Sequence, residues 1–490
     1  MPEALESYFA QFRQNIIGHN FEHPFAGGKK RIIYADWAAS GRLYRPIEEY
    51  ISTQLGPYVA NTHTETTLTG TVMTHAYHQA RDLIKKHVNA SPEDQLLFAG
   101  FGMTAAINKF QCLLGLHVHE KYKEALAPAG NDRPLVIITH MEHHSNQISW
   151  EECLCDVTII RRNSDGLPDL EHLHEVLEAN RDRRLIIGSF TACSNVTGII
   201  TPYHQMAEIM HAFGGYCFID FSASAPYVEI NMHPENPNQQ LDAIYFSPHK
   251  FLGGPGSSGV VVFNKAFYHN AIPDSPGGGT VRWTNPWGGH RYYDDIEMRE
   301  DGGTPGFLQA IKASLAVLLK EEMGIDHILA REHQLKDRLM DRLLQIPAIN
   351  ILEPEQRHRL SFVSFYVRGL HHNLIVRLLN DKFGIQTRGG CSCAGTYGHI
   401  LLNIDYAESK RITDMIDHDD LSEKPGWVRI SLHPTMTDDE VEYIADAIAE
   451  IIEHHNRWKD EYRFNIHTGD FESLKGSEFR IDLKKTFRGW

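Results

Sequence analysis

Short β-branched runs closed by turn residues alternate with longer stretches of helical period through the first half of the chain. This alternation constrains the fold most, because successive parallel strands need a long crossover between them, normally a helix. Strands are expected over 96–99, 135–139, 157–161, 185–189, 216–220, 243–247 and 259–264, giving an α/β fold with a seven-stranded, mostly parallel sheet. The 490 residues exceed what one core organises, so a second domain is expected.

From 304 to 324 the pattern lengthens into one apolar-rich helix, with Thr304 as N-cap and Pro305 at its first position. It reads as the bridge between domains. Beyond it, helices over 326–345, 371–383 and 438–454 and strands over 349–352, 360–367 and 427–432 describe a smaller α+β C-terminal domain. The division reads as 31–300 for the large domain, 1–30 with 304–456 for the small one, and 457–490 for a C-terminal extension of fading periodicity that ends at Trp490.

Forty-seven Lys and Arg against sixty-three Asp and Glu leave a net charge of −16, which repels nucleic acid and anionic membrane. A small-molecule substrate or a protein partner is expected instead. No secretory leader or membrane-length apolar run is evident, so a cytoplasmic location is expected. The seven cysteines are odd in number and irregularly spaced, which points to reduced thiols.

The densest chemical signal is Ser247-Pro248-His249-Lys250-Phe251-Leu252-Gly253-Gly254, a lysine leaving a strand for a glycine-rich turn. Hydroxyl, imidazole and glycine backbone beside one lysine suit a phosphate and an aldehyde together; the plain alternative is a surface lysine beside a turn. Asp220 ends an apolar strand, where a carboxylate can pair with a protonated pyridine nitrogen or simply cap a turn. Gly102-Met103-Thr104 opens a helix, where free amides can bind phosphate. Within Glu142-His143-His144-Ser145-Asn146 an imidazole can lie against an aromatic ring. His140 and His144 have the spacing of a zinc pair on a helix, but a loop is expected there and no metal site is assigned.

These motifs, with Tyr34-Ala35-Asp36-Trp37-Ala38-Ala39-Ser40 and Ser194-Asn195-Val196-Thr197-Gly198, occur in an order that resembles class V aminotransferases of pyridoxal-phosphate (PLP) fold type I. The likeness is nearest to cysteine desulfurases and the related molybdenum-cofactor sulfurases. It implies PLP as cofactor, Lys250 as the Schiff-base lysine and proton shuttle, Asp220 at the pyridinium, His143 on the ring and Asn195 near the ring oxygen. Met103, Thr104, Ser247 and His249 would hold the phosphate. Thr304 would reach the phosphate of the opposite subunit, implying a homodimer.

The same resemblance makes Cys393, after Arg388-Gly389-Gly390-Cys391-Ser392, the thiol that takes sulfur from cysteine or selenocysteine and releases alanine, with a sulfur-acceptor protein as a further partner. Arg429 would bind the substrate carboxylate, with Arg388, Asn195 and His63 completing the substrate set. Three features depart from the family pattern. Ala223 stands where a glutamine is usual, with Ser222 or Ser224 as substitutes; an acidic, partly helical insertion including 414–420 separates Cys393 from Arg429; and Cys391 duplicates the thiol. Transamination, epimerisation or another side-chain elimination remain open as reactions, and a non-catalytic scaffold or sulfur-trafficking protein as a different class.

Overall fold

The computed structural model describes residues 2–25, 28–475 and 481–484. Seven strands form the central sheet in the order Asp94–Ala99, Gly259–Asn264, Ala243–Phe246, Tyr216–Asp220, Ile186–Thr191, Leu135–Thr139, Asp156–Ile160. Gly259–Asn264 is antiparallel to both neighbours, and the remaining strands share one direction. Successive side chains enter opposite layers, as the strand period of two requires. Thus Leu135 and Ile137 join one apolar cluster, while Val136 and Ile138 join another on the opposite face. Burial on both faces explains why these strands read as continuous apolar runs.

The expected bridge is the helix Phe307–Met323. Ala313, Ala316 and Val317 pack under the central sheet, whereas Leu319 and Met323 enter the core of the second sheet. The N-cap assignment to Thr304 is wrong: Gly306 occupies that position without a side-chain cap, and Thr304 is exposed. Two intervening residues that include Pro305 keep the threonine out of reach of the first turn.

The second sheet runs Ile349–Ile351, Phe362–Val367, Trp427–Ser431, Arg388–Gly390, all antiparallel, and packs with Ile325–Leu344, His372–Phe383 and Asp438–Trp458. Arg388–Gly390 was not legible as a strand because its glycines carry almost no β propensity. Phe9 and Phe12 of a further helix, Pro2–Arg13, are buried in the same core. The acidic insertion contains the helices Gly395–Leu401 and Tyr406–Asp417. Beyond Arg457 the chain forms an ordered hairpin, Tyr462–Asn465 with Asp470–Ser473, against that core through Tyr462 and Phe471. Trp490 lies outside the described residues. Among the described residues no helix is long and apolar enough to cross a membrane, and all seven cysteines are free.

Candidate active site

Four parallel strands, Leu135–Thr139, Ile186–Thr191, Tyr216–Asp220 and Ala243–Phe246, direct their C-terminal ends to one cavity of about 590 Å³. Ligands bind at this edge of open α/β sheets because the loops leaving it carry the variable side chains. Arg429, Arg388 and Ser392 line the cavity from the second sheet and its following loop.

Lys250 ends the single turn Pro248–Lys250 and lines the cavity. Burial brings its ammonium down to about 8; Asp220 opposes the shift, and Arg429 and Arg388 reinforce it. The glycines after it do not line the cavity. Their role is packing: a Cβ on Gly254 would stand 1.8 Å from the Pro248 carbonyl oxygen. The expectation that this turn cradles a phosphate is therefore corrected.

Asp220 is buried, and its Oδ1 accepts the Ser222 N–H at 2.8 Å. Burial pushes its carboxyl up, against the pull of Ser222 and Lys250. Ser222 Oγ lies near that carboxylate without a hydrogen-bonding geometry, and it has no partner among the described residues. Ala223 lines the wall beside it.

His143 Nδ1 accepts the Ser145 N–H at 3.0 Å and so caps the helix His144–Glu151. The expected loop thus ends at His143, and the helix begins earlier than the sequence implied, because histidine replaces the usual cap residues. Burial, followed by the nearby Lys250 charge, brings His143 down to about 3, which keeps the ring neutral. Glu142, unassigned from sequence, accepts from the Thr139 and Thr191 amides at 3.2 and 2.9 Å, the Thr139 hydroxyl at 2.7 Å and Asn146 Nδ2 at 2.7 Å. It ties the His143 segment to the neighbouring strand end. His140 is buried against Tyr397, and no group of three or more metal-ligating side chains occurs among the described residues.

Around the start of the helix Met103–Leu113, the Met103 amide donates to Ser247 Oγ at 2.8 Å, and the Thr104 and Ser145 hydroxyls lie 2.6 Å apart. A Cβ on Gly102 would sit 3.3 Å from Ser247 Oγ and 3.6 Å from the His249 ring, so glycine lets these groups converge. Burial and then Lys250 bring His249 down to about 4.

Asn195 donates through Nδ2 to the Ser392 carbonyl at 2.6 Å, while its buried Oδ1 has no partner among the described residues. Arg429 is only 1% exposed; it donates to Asp36 Oδ1 and to the Asn195 carbonyl, each at 2.8 Å. Asp36 belongs to the Tyr34–Ser40 motif, but nothing in sequence pairs it with a residue so far down the chain. Replacing Asp36 with alanine leaves a buried guanidinium without its counter-charge, with an expected loss of about 3 kcal/mol in denaturant unfolding. A loss below about 0.5 kcal/mol would show the pair to be structurally idle.

The structure does not bring His63 or Thr304 to this cavity. Both are exposed, and His63 Nε2 lies 2.5 Å from the carbonyl oxygen of Gly303, next to Thr304.

Cys393 is exposed, outside the main cavity but on an adjoining one of about 270 Å³ that shares Arg388 and Ser392 with it. Ser392 and Cys393 hold left-handed φ values of 52° and 58°, unusual for residues with a Cβ. Hydrogen bonds from Asn195 and His144 to the Ser392 and Cys393 carbonyls, from Trp427 Nε1 to Ser392 Oγ and from the Gly395 amide to His144 Nε2 fix this turn. Cys391 is half-buried beside an apolar cluster with Trp427 and Tyr397.

The donor set fits PLP. A buried carboxylate, a lysine amine of lowered pKa, a helix start among hydroxyls and two unpartnered polar atoms, Asn195 Oδ1 and Ser222 Oγ, face one space. Similar proteins include the probable cysteine desulfurases of Halalkalibacterium halodurans, 28% identical over 74% of this chain and 84% of that protein, and of Streptomyces coelicolor, 26% identical over 74% and 84%. Among solved structures, the apo cysteine desulfurase of Thermococcus onnurineus superposes with a TM-score of 0.71 at 21% identity, covering 90% of this chain and 98% of its own. The cysteine desulfurase CsdA of Escherichia coli gives 0.68 at 22% identity, covering 91% and 98%. The family model for class-V aminotransferases matches residues 33–444, from just before the Asp36 motif into the helix Asp438–Trp458, and the chain belongs to that family.

Proposed function

We propose that this chain is a PLP-dependent cysteine desulfurase-like lyase that moves sulfur from cysteine, or selenium from selenocysteine, to Cys393 and releases alanine. The observation that carries this reading is a fixed, exposed thiol on a cavity that shares two walls with the Lys250–Asp220 pocket. Family membership makes the enzyme PLP-dependent, and the bound cofactor supplies an electron sink beside the amino acid's α-carbon.

Lys250 anchors the cofactor and then moves the α-proton on Nζ, which its lowered pKa suits. Asp220 would hold the proton on the ring nitrogen, neutral His143 would lie against the ring, and Asn195 Oδ1 with Ser222 Oγ would offer partners for its polar edge. Ser222 thereby takes the place of the missing glutamine. Thr104, Ser247, His249 and the start of the Met103 helix take the phosphate. Arg388 has no hydrogen-bond or ionic partner for its guanidinium among the described residues, so it is free to bind the substrate carboxylate. Arg429, two of whose five N–H donors are already engaged, positions the same group. Cys393 Sγ then attacks the substrate sulfur; the substrate C–S bond breaks as the new S–S bond forms, and its electron pair stays with the carbon, which takes up a proton before alanine leaves.

His63 and Thr304, exposed together, serve the site of a second copy in a homodimer. Exposed Phe101, Leu68 and Trp287 support such a contact. The division into 31–300, 1–30 with 304–456, and 457–490 is kept for the strands, since those of the central sheet and those of the second sheet pack in different clusters, although Ile33, Ala35, Trp37 and Tyr44 join the second core. A cytoplasmic location and an acceptor protein complete the reading.

The test is incubation of PLP-loaded protein with one equivalent of cysteine per chain and no other thiol. Close to one alanine per chain and one extra sulfur on the peptide carrying Cys393 are expected by amino-acid analysis and mass spectrometry. Absence of alanine, or alanine with no sulfur on that peptide, overturns the reading.

A further inference from the structure

The cavity beside Cys393 is lined by residues 388–393 together with segments that the chemistry above does not use. His371, His372 and Asn373 bring the start of the helix His372–Phe383, Lys424 and Leu421 come from the acidic insertion, and Thr468 and Gly469 from the C-terminal hairpin. Despite the chain's net negative charge, no carboxylate lines this cavity among the described residues. The Lys424 and Arg388 side chains have no hydrogen-bond or ionic partner among the described residues. Glu423, next to Lys424, is instead paired with Arg411 at 2.7 Å, and Asp420 Oδ1 accepts the Ser422 amide at 2.9 Å. Asp470 is the carboxylate that acts on His371.

The helix start adds positive potential of its own. His371 Nδ1 accepts the Asn373 amide at 3.1 Å, and its buried Nε2 has no partner among the described residues. The two cations and the helix N-terminus therefore line one space of about 270 Å³, with Cys391 and Cys393 on its wall.

We infer that this cavity is a docking site for a small thiol bearing an acid group, which takes the sulfur directly from Cys393. The inference rests on the desulfurase reading for its chemistry. The acceptor thiolate attacks the terminal sulfur of the Cys393 persulfide; a new S–S bond forms, the Cys393 Sγ–S bond breaks, and Cys393 leaves as thiolate. The acceptor's thiol proton goes to solvent, and no external oxidant or reductant is needed. Lys424 holds the acid group, joined by Arg388 once alanine has left it, and the hairpin and insertion limit the size of the acceptor.

The charge of the cavity is tested without turnover. Cys393 in the full chain is alkylated with anionic iodoacetate and neutral iodoacetamide, each rate being normalised to the same reagent's rate with free cysteine. A normalised preference for iodoacetate on the order of tenfold is expected, falling towards one in Lys424→Glu and retained in Lys424→Arg. Turnover on cysteine is then compared with 3-mercaptopropionate, 2-mercaptoethanol and cysteamine as acceptors, normalised to their rates with a small-molecule persulfide. The acid is expected to lead the cationic thiol by a similar factor, the lead shrinking with added salt. A normal first-turnover alanine burst with no charge preference in either assay overturns this inference and leaves the desulfurase reading intact. A charge preference in alkylation with no alanine burst overturns the desulfurase reading and, with it, the sulfur transfer.

Discussion

Replacing Lys250 with alanine is expected to lower alanine release from cysteine by on the order of 10³-fold or more, because in the proposed reaction one amine both anchors the cofactor and carries the α-proton. The pocket explains why this lysine is competent near neutral pH. Burial holds it at about 8, against an ordinary value of 10.5. The attacking form is the neutral amine, whose fraction falls about tenfold for each pH unit below the pKa. The rate of PLP uptake by cofactor-free protein should therefore climb with pH and level off above about 8, whereas an unperturbed lysine would keep gaining up to about 10.5. Stopped-flow absorbance across that range separates the two cases. Turnover in Lys250→Ala within tenfold of the parent would remove the lysine from the chemistry.

Replacing Cys393 with serine is expected to cut steady-state alanine release by on the order of 10²-fold or more, since a hydroxyl is far less nucleophilic towards sulfur than a thiolate. The visible spectrum of the loaded protein should be unchanged, because the residue lies outside the main cavity. Cys391→Ser should retain most turnover: Cys391 is half-buried beside Trp427, while Cys393 stands exposed on a hydrogen-bonded turn. The opposite pattern would move the reactive thiol by two positions. Mass spectrometry of the sulfur-loaded peptide gives the assignment independently of rates.

Much of this architecture was legible in sequence where one physical signal dominated. Buried parallel strands such as Leu135–Thr139 and Tyr216–Asp220 read correctly to the residue, because burial on both faces demands an unbroken apolar run. Lys250, Asp220, His143 and Asn195 were recoverable as candidates because each sits in a distinctive motif, and the fold brings all four to one cavity. What escaped had its cause in tertiary structure. Arg388–Gly390 becomes a strand only by pairing with Trp427–Ser431, against its own propensity. The glycines after Lys250 look like a phosphate loop, but Gly254 is required by the close approach of the Pro248 carbonyl and Gly253 by its positive φ against Ile47. Asp36 gains meaning only beside Arg429, and Lys424 only beside Cys393. Pairings across such sequence distances leave no local pattern.

In the proposed reading, the insertion and the C-terminal hairpin set the specificity for the sulfur acceptor. Neither reaches the main cavity, so the cofactor pocket is left untouched while the surroundings of the exposed thiol change. Function here follows from side chains added around a sheet edge, whereas the sheet itself fixes where the chemistry takes place.

The most direct measurement is borohydride reduction of the PLP-loaded protein followed by peptide mapping. The account predicts a single pyridoxyl adduct on Lys250. An adduct on another lysine, or protein that takes up no cofactor, would contradict it.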